Sequence, residues 1–241
     1  MAEPPRQLPL ALPVTVAHGR DDYVVSRSNR AAFELVTAAQ WPSDVMVLIG
    51  PEGAGKTHLA AVLAEVADGA VIAAAALAAL DPLGLAGRTV IVEDAGEGVD
   101  ERALFHLFNV VRQHGGRCLV TARRPPAEWS TRLADLASRL RAATPIELGL
   151  PDDPLLEAVL GKLFADRQIA VDPAVLAYLA RRMERSFAAA VRLVEALDRE
   201  ALAAKGPITR TMAGAVLARD RGDEPEPPGL DEAASTANNP S

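Results

Sequence analysis

Over the first 150 positions, short apolar runs alternate with longer stretches in which apolar and polar residues recur at helical spacing. Val45-Met46-Val47-Leu48-Ile49 is apolar throughout, as a strand buried on both faces requires. Shorter versions of the same run occur at Val71-Ile72, Thr89-Val90-Ile91-Val92, Arg117-Cys118-Leu119-Val120-Thr121 and Pro145-Ile146-Glu147-Leu148. Between these strands the spacing predicts helices over residues 28–39, 56–67, 101–114 and 131–141. Strands and helices in alternation mean an α/β fold with a parallel sheet covered on both faces. Leu150-Pro151-Asp152-Asp153-Pro154 then punctuates the chain. Beyond it only helical spacing remains, over 155–167, 173–183, 186–203 and 209–219. The expected organisation is an α/β core over 16–150 with a parallel five-stranded sheet, followed by a small all-helical domain over 151–220.

Composition changes this picture mainly at the ends. Residues 1–15 are rich in Pro and Leu without either periodicity, and residues 221–241 combine Pro, acids, Ser and Asn, the make-up of a disordered acidic tail. The 241-residue chain is 49% hydrophobic and 24% charged, a soluble globular balance, with Ala and Leu favouring helices. No apolar run reaches the roughly 18 residues of a membrane span, and the N-terminus lacks a signal-peptide layout. A cytoplasmic protein without membrane contact is therefore expected. Cys118 is the single cysteine, which excludes an internal disulfide and argues against a cysteine-based zinc site. The net charge of −7 argues against strong autonomous DNA binding, although a local basic face stays open.

The chemistry centres on Gly50-Pro51-Glu52-Gly53-Ala54-Gly55-Lys56-Thr57, which matches G-x-x-x-x-G-K-[ST] and lies between a predicted strand and a predicted helix. Glycines let backbone N–H groups curl around phosphates, and the following helix points its positive end at them. Lys56, one of three lysines in the chain, would reach the β- and γ-phosphates. The Thr57 hydroxyl would ligate Mg²⁺ on bound ATP or ADP, and His58 directly follows the loop. A P-loop also needs an acid on a neighbouring strand, and Glu93-Asp94 follows the third apolar run. In one reading Glu93 orders the metal and Asp94 polarises water. In another the register shifts by one, leaving Asp94 on the metal, no base, and slow hydrolysis by the chain itself. Two solvated strand-end acids are the plain alternative. Thr121 ends the fourth strand, where a polar residue can approach the γ-phosphate. Arg139 precedes the last core strand: it either serves a neighbouring subunit's nucleotide as an arginine finger or forms a surface salt bridge. The four histidines share no ligand spacing, Cys118 reads as core, and Trp41 and Trp129 read as packing residues.

Three of these strings together resemble the AAA+ proteins of the DnaA family, over roughly residues 7 to 219. Tyr23-Val24-Val25-Ser26-Arg27-Ser28-Asn29 resembles the segment that packs near adenine, which implies nucleotide contacts from Tyr23, Val24 and Asn29. Ala137-Ser138-Arg139-Leu140 resembles the box carrying the family's arginine finger, and Pro207-Ile208-Thr209 the end of its helical lid. No stretch resembles DnaA's helix-turn-helix domain or its oligomerisation domain. That narrows the resemblance to the short regulatory paralogues of the Hda type. These begin with a sliding-clamp-binding peptide, which Gln7-Leu8-Pro9-Leu10-Ala11-Leu12 resembles: a Gln and several leucines on an extended strip suited to an apolar groove. Gln7, Leu8, Leu10 and Leu12 would contact the clamp.

The resemblance implies a negative regulator of replication initiation. Bound to the clamp and to ADP, such a protein engages DnaA and supplies Arg139 in trans to promote hydrolysis of DnaA's ATP, its own ATPase being weak or absent. One departure stands out, because Ala188 occupies the lid position of a nucleotide-sensing arginine, with Arg185 and Arg192 nearby but out of register. The competing readings are an autonomous AAA+ ATPase such as a helicase loader, which the acid pair favours, and a small-substrate P-loop kinase, which the C-terminal helices fit poorly. A homodimer stays open.

Overall fold

The computed structural model describes residues 23–220 except residue 97. The segment from Gln7 to Leu12 and the acidic stretch 221–241 lie outside the described residues. The elements run α1 (Arg30–Thr37), β1 (Val45–Ile49), α2 (Lys56–Ala67), β2 (Ala70–Ala73), β3 (Thr89–Ala95), α3 (Glu101–Gln113), β4 (Arg117–Ala122), α4 (Ala134–Ala142) and β5 (Thr144–Glu147). They continue with α5 (Asp153–Asp166), α6 (Pro173–Ala180), α7 (Phe187–Ala204) and α8 (Arg210–Asp220). The chain divides after Leu150 into two compact units. Among the described residues, no helix is long and apolar enough to cross a membrane.

The first unit is a five-stranded sheet in the order β2-β3-β4-β1-β5, with every neighbouring pair parallel. Because successive side chains leave a strand on opposite faces, a continuous apolar run serves two cores at once. Val47, Val90, Val92 and Val120 pack with Leu104, Phe108, Leu136 and Leu140 of α3 and α4. Met46, Leu48, Ile91 and Leu119 pack on the other face with Val36, Leu59 and Leu63 of α1 and α2. Cys118 belongs to the first core, where burial pushes its thiol up to about 12; it packs rather than reacts. Trp129 is buried there too, its indole N–H donating to Arg124 O at 3.0 Å. Trp41 lies under the Arg117 guanidinium, 4.8 Å from the ring centroid.

Several expected boundaries move, two of them for reasons visible in the hydrogen bonds. The helix expected over 28–39 shortens to α1, because Asn29 is used in a turn: its Oδ1 accepts from Ser26 N–H at 2.8 Å and its Nδ2 donates to Val24 O at 2.9 Å. The helix expected over 131–141 starts only at Ala134. The Glu101 carboxylate accepts from the backbone N–H groups of Arg132 and Leu133, at 2.9 and 2.6 Å, and so caps α4 from another helix. Those two bonds hold the Glu101 carboxyl below its ordinary range. The third strand runs on through both acids to Ala95 instead of stopping at Val92. The fourth gains Ala122, and α6 ends at Ala180 rather than 183. The outer strand β5 is four residues long and carries Pro145 opposite Val47.

The second unit holds α5 to α8 around its own core of Leu156, Leu160, Phe164, Leu179, Leu193, Val194 and Leu197, all under 3% exposed. Asp152, Asp172 and Ser186 cap α5, α6 and α7 through side-chain oxygens, the residue types that satisfy orphan N–H groups best.

Candidate functional site

In a parallel sheet, ligands bind beyond the carboxyl ends of the strands, where neighbouring connections diverge. Here that point lies between β1 and β4: the chain leaves β1 toward the far edge at β2, and leaves β4 for the opposite edge at β5. The glycine loop follows β1 into this crevice. Gly50 is pinned at its base, donating its N–H to Ala122 O at 3.1 Å, while Leu148 N–H bonds Ile49 O at 2.7 Å. A Cβ on Gly50 would lie 2.2 Å from the Leu148 carbonyl oxygen, a backbone atom that cannot step aside. Gly53 and Gly55 turn the loop with φ of 79° and 90°, a conformation side chains rarely adopt. We expect Gly50→Ala to cost about 3 kcal/mol as an overpacking change, measured by urea denaturation, and to remove stabilisation by ADP. A variant with unchanged midpoint and unchanged ADP response would contradict this account of the loop.

Gly55 is also the N-cap of α2, so the loop delivers Lys56 and the exposed Thr57 on the first helical turn. Lys56 is buried, with Nζ donating to Gly50 O and Pro51 O, both at 2.8 Å. Its pKa is lowered, first by burial, then by Arg123, against the opposing pull of Asp94, Glu52 and Glu93.

The two acids share a distortion. Val92 pairs with Val120 and Ala95 with Ala122, so Glu93 and Asp94 together span the single residue Thr121. This is a β-bulge, uncommon in parallel pairs. Val92 and Ala95 both pack on the α3 side. By alternation Glu93 takes the α2 side with Ile91, and Asp94 is the inserted residue. Asp94 has φ of 54°, and its N–H is held by the buried Thr121 hydroxyl at 3.0 Å. Among the described residues the other non-glycine positive φ angles are at Asp68, Gln168 and Lys205, all just past helix ends. Asp94 alone takes this conformation inside a strand, at a cost of about 1 kcal/mol.

The expected adenine-side residues also converge. Tyr23 is buried, stacked on Phe33 with centroids 5.3 Å apart and edge-on to His58 at 5.0 Å. Burial pushes its phenol up to about 12, against the lesser pull of a hydrogen bond with Asn29. Asn29 ties Val24 and Ser26 into the same turn.

Other expected residues make their contacts within their own units. Arg139, half-buried on α4, donates from Nη2 to Asn109 Oδ1 at 3.0 Å and lies 6.0 Å from the Phe105 ring centroid. Its partners on α3 are thus an amide and an aromatic face, where a salt bridge was one of the two expectations. Ala188 is exposed on the first turn of α7. Arg185 pairs with Asp153 and donates to Pro151 O at 3.1 Å, and Arg192 pairs with Glu184 at 3.3 Å. Both arginines near the sensor position are therefore engaged within the second unit. Two participants escaped the sequence reading. Glu101 gave no signal, its partner groups being backbone N–H groups 31 and 32 residues away. Arg123, paired with Glu52 of the loop at 3.0 Å, was announced only by following Thr121 and Ala122 at a strand end.

No protein-family model and no curated protein sequence matches the chain. Solved structures do. The chain is similar to domain III of the Thermotoga maritima replication initiation protein DnaA, with TM-score 0.73 and 16% identity, over 87% of this chain and 98% of that one. It is similar to AMPPCP-bound DnaA from Aquifex aeolicus, with TM-score 0.66 and 17% identity, over 84% of this chain and 69% of that one. A variant of Thermotoga maritima RuvB matches with TM-score 0.65 and 17% identity, over 83% of this chain and 71% of that one. At these identities the likeness establishes the fold, which is that of the AAA+ proteins.

Proposed function

We propose that this chain is a nucleotide-binding AAA+ protein that regulates a DnaA-type initiator. The observation that carries the nucleotide reading is the loop at Gly50: a backbone with no room for a Cβ, two glycines at positive φ, and a buried lysine whose ammonium is held by the loop's own carbonyls. Few structural purposes require that combination, and cradling phosphates does. ADP or ATP fits it, with Lys56 and the loop N–H groups on the phosphates and the Tyr23, Val24, Asn29 and His58 cluster on the base side. Among the described residues no three His, Cys, Asp or Glu side chains gather to hold a metal. Mg²⁺ would then be held through the phosphates, Thr57 and one acid of the Glu93–Asp94 pair. Bound there, MgATP supplies a phosphoanhydride open to in-line attack by water.

The regulatory reading adds two elements. Arg139 rests on neutral partners, so its positive charge stays available to phosphate on a neighbouring protein, in trans to an initiator's ATP. Gln7, Leu8, Leu10 and Leu12 would anchor the chain to the replicative sliding clamp. The pairing of Arg185 with Asp153 and of Arg192 with Glu184, with Ala188 at the expected sensor position, suits a protein that keeps its nucleotide more than it turns it over. The test is clamp binding by the full chain, with and without residues 1–13. Micromolar binding lost on truncation, and lost equally in Gln7→Ala/Leu10→Ala, is the expected result. Binding that survives both changes removes the peptide from the account.

The Glu93–Asp94 bulge beside Lys56 favours a second reading, an autonomous AAA+ ATPase such as a helicase loader. ATP turnover by the chain alone, abolished in Asp94→Asn, would select it.

A further inference from the structure

The end of β4 carries a charge that no role above uses. Arg123, two residues past Thr121, places Nη1 3.0 Å from Oε2 of Glu52, a variable residue of the glycine loop. The side chains are 61% and 79% exposed, so water competes for both ends and the pair is easily exchanged. Rooted one residue past the end of β4 and paired with a residue of the loop itself, the guanidinium stands beside the phosphate cradle.

Resting on the nucleotide-binding reading, we propose that Arg123 is a phosphate-contacting residue that favours nucleoside triphosphate over diphosphate, with Glu52 as its counter-ion when no terminal phosphate is bound. The argument is one of exchange. A guanidinium binds carboxylate and phosphate through the same planar fork, and a terminal phosphate offers more charge and more acceptor oxygens than Glu52. The helix dipole and loop N–H groups serve the phosphates lying over α2. A side chain rising from β4 approaches instead from the side of the acids, where a terminal phosphate and its metal would lie. Glu52 keeps the guanidinium close to its target without sealing it away, since the pair itself is weakly held.

A second role for Arg123 is physically distinct: it could do no more than neutralise Glu52, whose unpaired carboxylate would repel the more highly charged triphosphate. The experiment separates the two. Isothermal titration of the full chain with ADP and with a non-hydrolysable ATP analogue is run on wild type, Arg123→Gln, Glu52→Gln and the double variant. Both side chains are exposed, so folding should be unaffected, which melting without nucleotide checks. We expect Arg123→Gln to lose about tenfold in analogue affinity, one charge-assisted contact, and under about threefold for ADP. The same preferential loss should persist in the double variant, because the missing contact is to phosphate. Glu52→Gln alone should not weaken the analogue. Equal losses for both nucleotides, no loss, or recovery of the wild-type ratio in the double variant each overturn the assignment. Wild type that binds neither nucleotide overturns the nucleotide reading as well, which the other outcomes leave intact.

Discussion

Arg139→Ala is expected to reduce stimulated hydrolysis of ATP on a DnaA-type initiator by about three orders of magnitude, the lower range for a trans arginine, while ADP affinity and clamp binding stay at wild-type levels. The size follows from where charge develops. In phosphoryl transfer the protein contributes mostly position and electrostatic stabilisation, so removing one guanidinium from the transferring group acts on the barrier directly. The selectivity follows from the fold. Arg139 lies against Asn109 and Phe105 of α3, not against residues of the glycine loop. Its loss removes one charge-assisted hydrogen bond to a neutral acceptor and some aromatic contact, about 1 to 2 kcal/mol of stability at this half-buried site. Arg139→Lys keeps a charge but not the planar fork and should recover little. A single-turnover assay of initiator-bound ATP, with clamp and DNA present, reads the effect. Wild-type stimulation by Arg139→Ala would end the finger assignment and leave Arg139 as a packing residue between α3 and α4.

Lys56→Ala should lower ADP affinity by about a hundredfold, the weight of charged contacts to two phosphates. A thermal melt shows it as a vanished response to ligand. At ADP a hundred times the wild-type Kd, linkage gives about 2.7 kcal/mol of stabilisation, and the variant should show under 0.5. Without nucleotide the sign differs. The Lys56 ammonium is buried, and its pKa is lowered chiefly by that burial, so the folded chain holds a charge its surroundings disfavour. Removing it relieves that cost, and the melting temperature of the nucleotide-free variant should equal or exceed wild type. Such opposed effects mark a residue kept for binding at the expense of stability. A variant that melts lower without nucleotide yet responds normally to ADP would make Lys56 a structural lysine.

What could be read from the chain beforehand depended on how local the determining physics was. β1 and α2 matched their expected limits because an apolar pentad, three glycines and a helix-forming run each act within a few residues. Lys56 and the two acids were legible for the same reason. The bulge was not. Whether Asp94 or Glu93 turns toward the loop depends on the register of β3 against β4, and register belongs to two strands rather than to either one. The start of α4 was equally hidden, since it is set by a carboxylate from α3. Arg139 showed as a candidate through its box, but its dock on Asn109 joins positions 30 residues apart.

Pro145 has a bearing on how copies of this molecule could meet. In β5 the N–H groups of every second residue face β1, as Leu148 shows by donating to Ile49. Residues 145 and 147 therefore face away from the sheet, and at 145 proline has no N–H to offer. An incoming strand would find a four-residue edge with one of its two outward donors missing, and the opposite edge, β2, is also four residues long. Such edges resist templated strand addition, the common route to runaway aggregation in α/β proteins. Any self-association must then be built from side-chain surfaces, which point mutations can tune or break without touching the sheet.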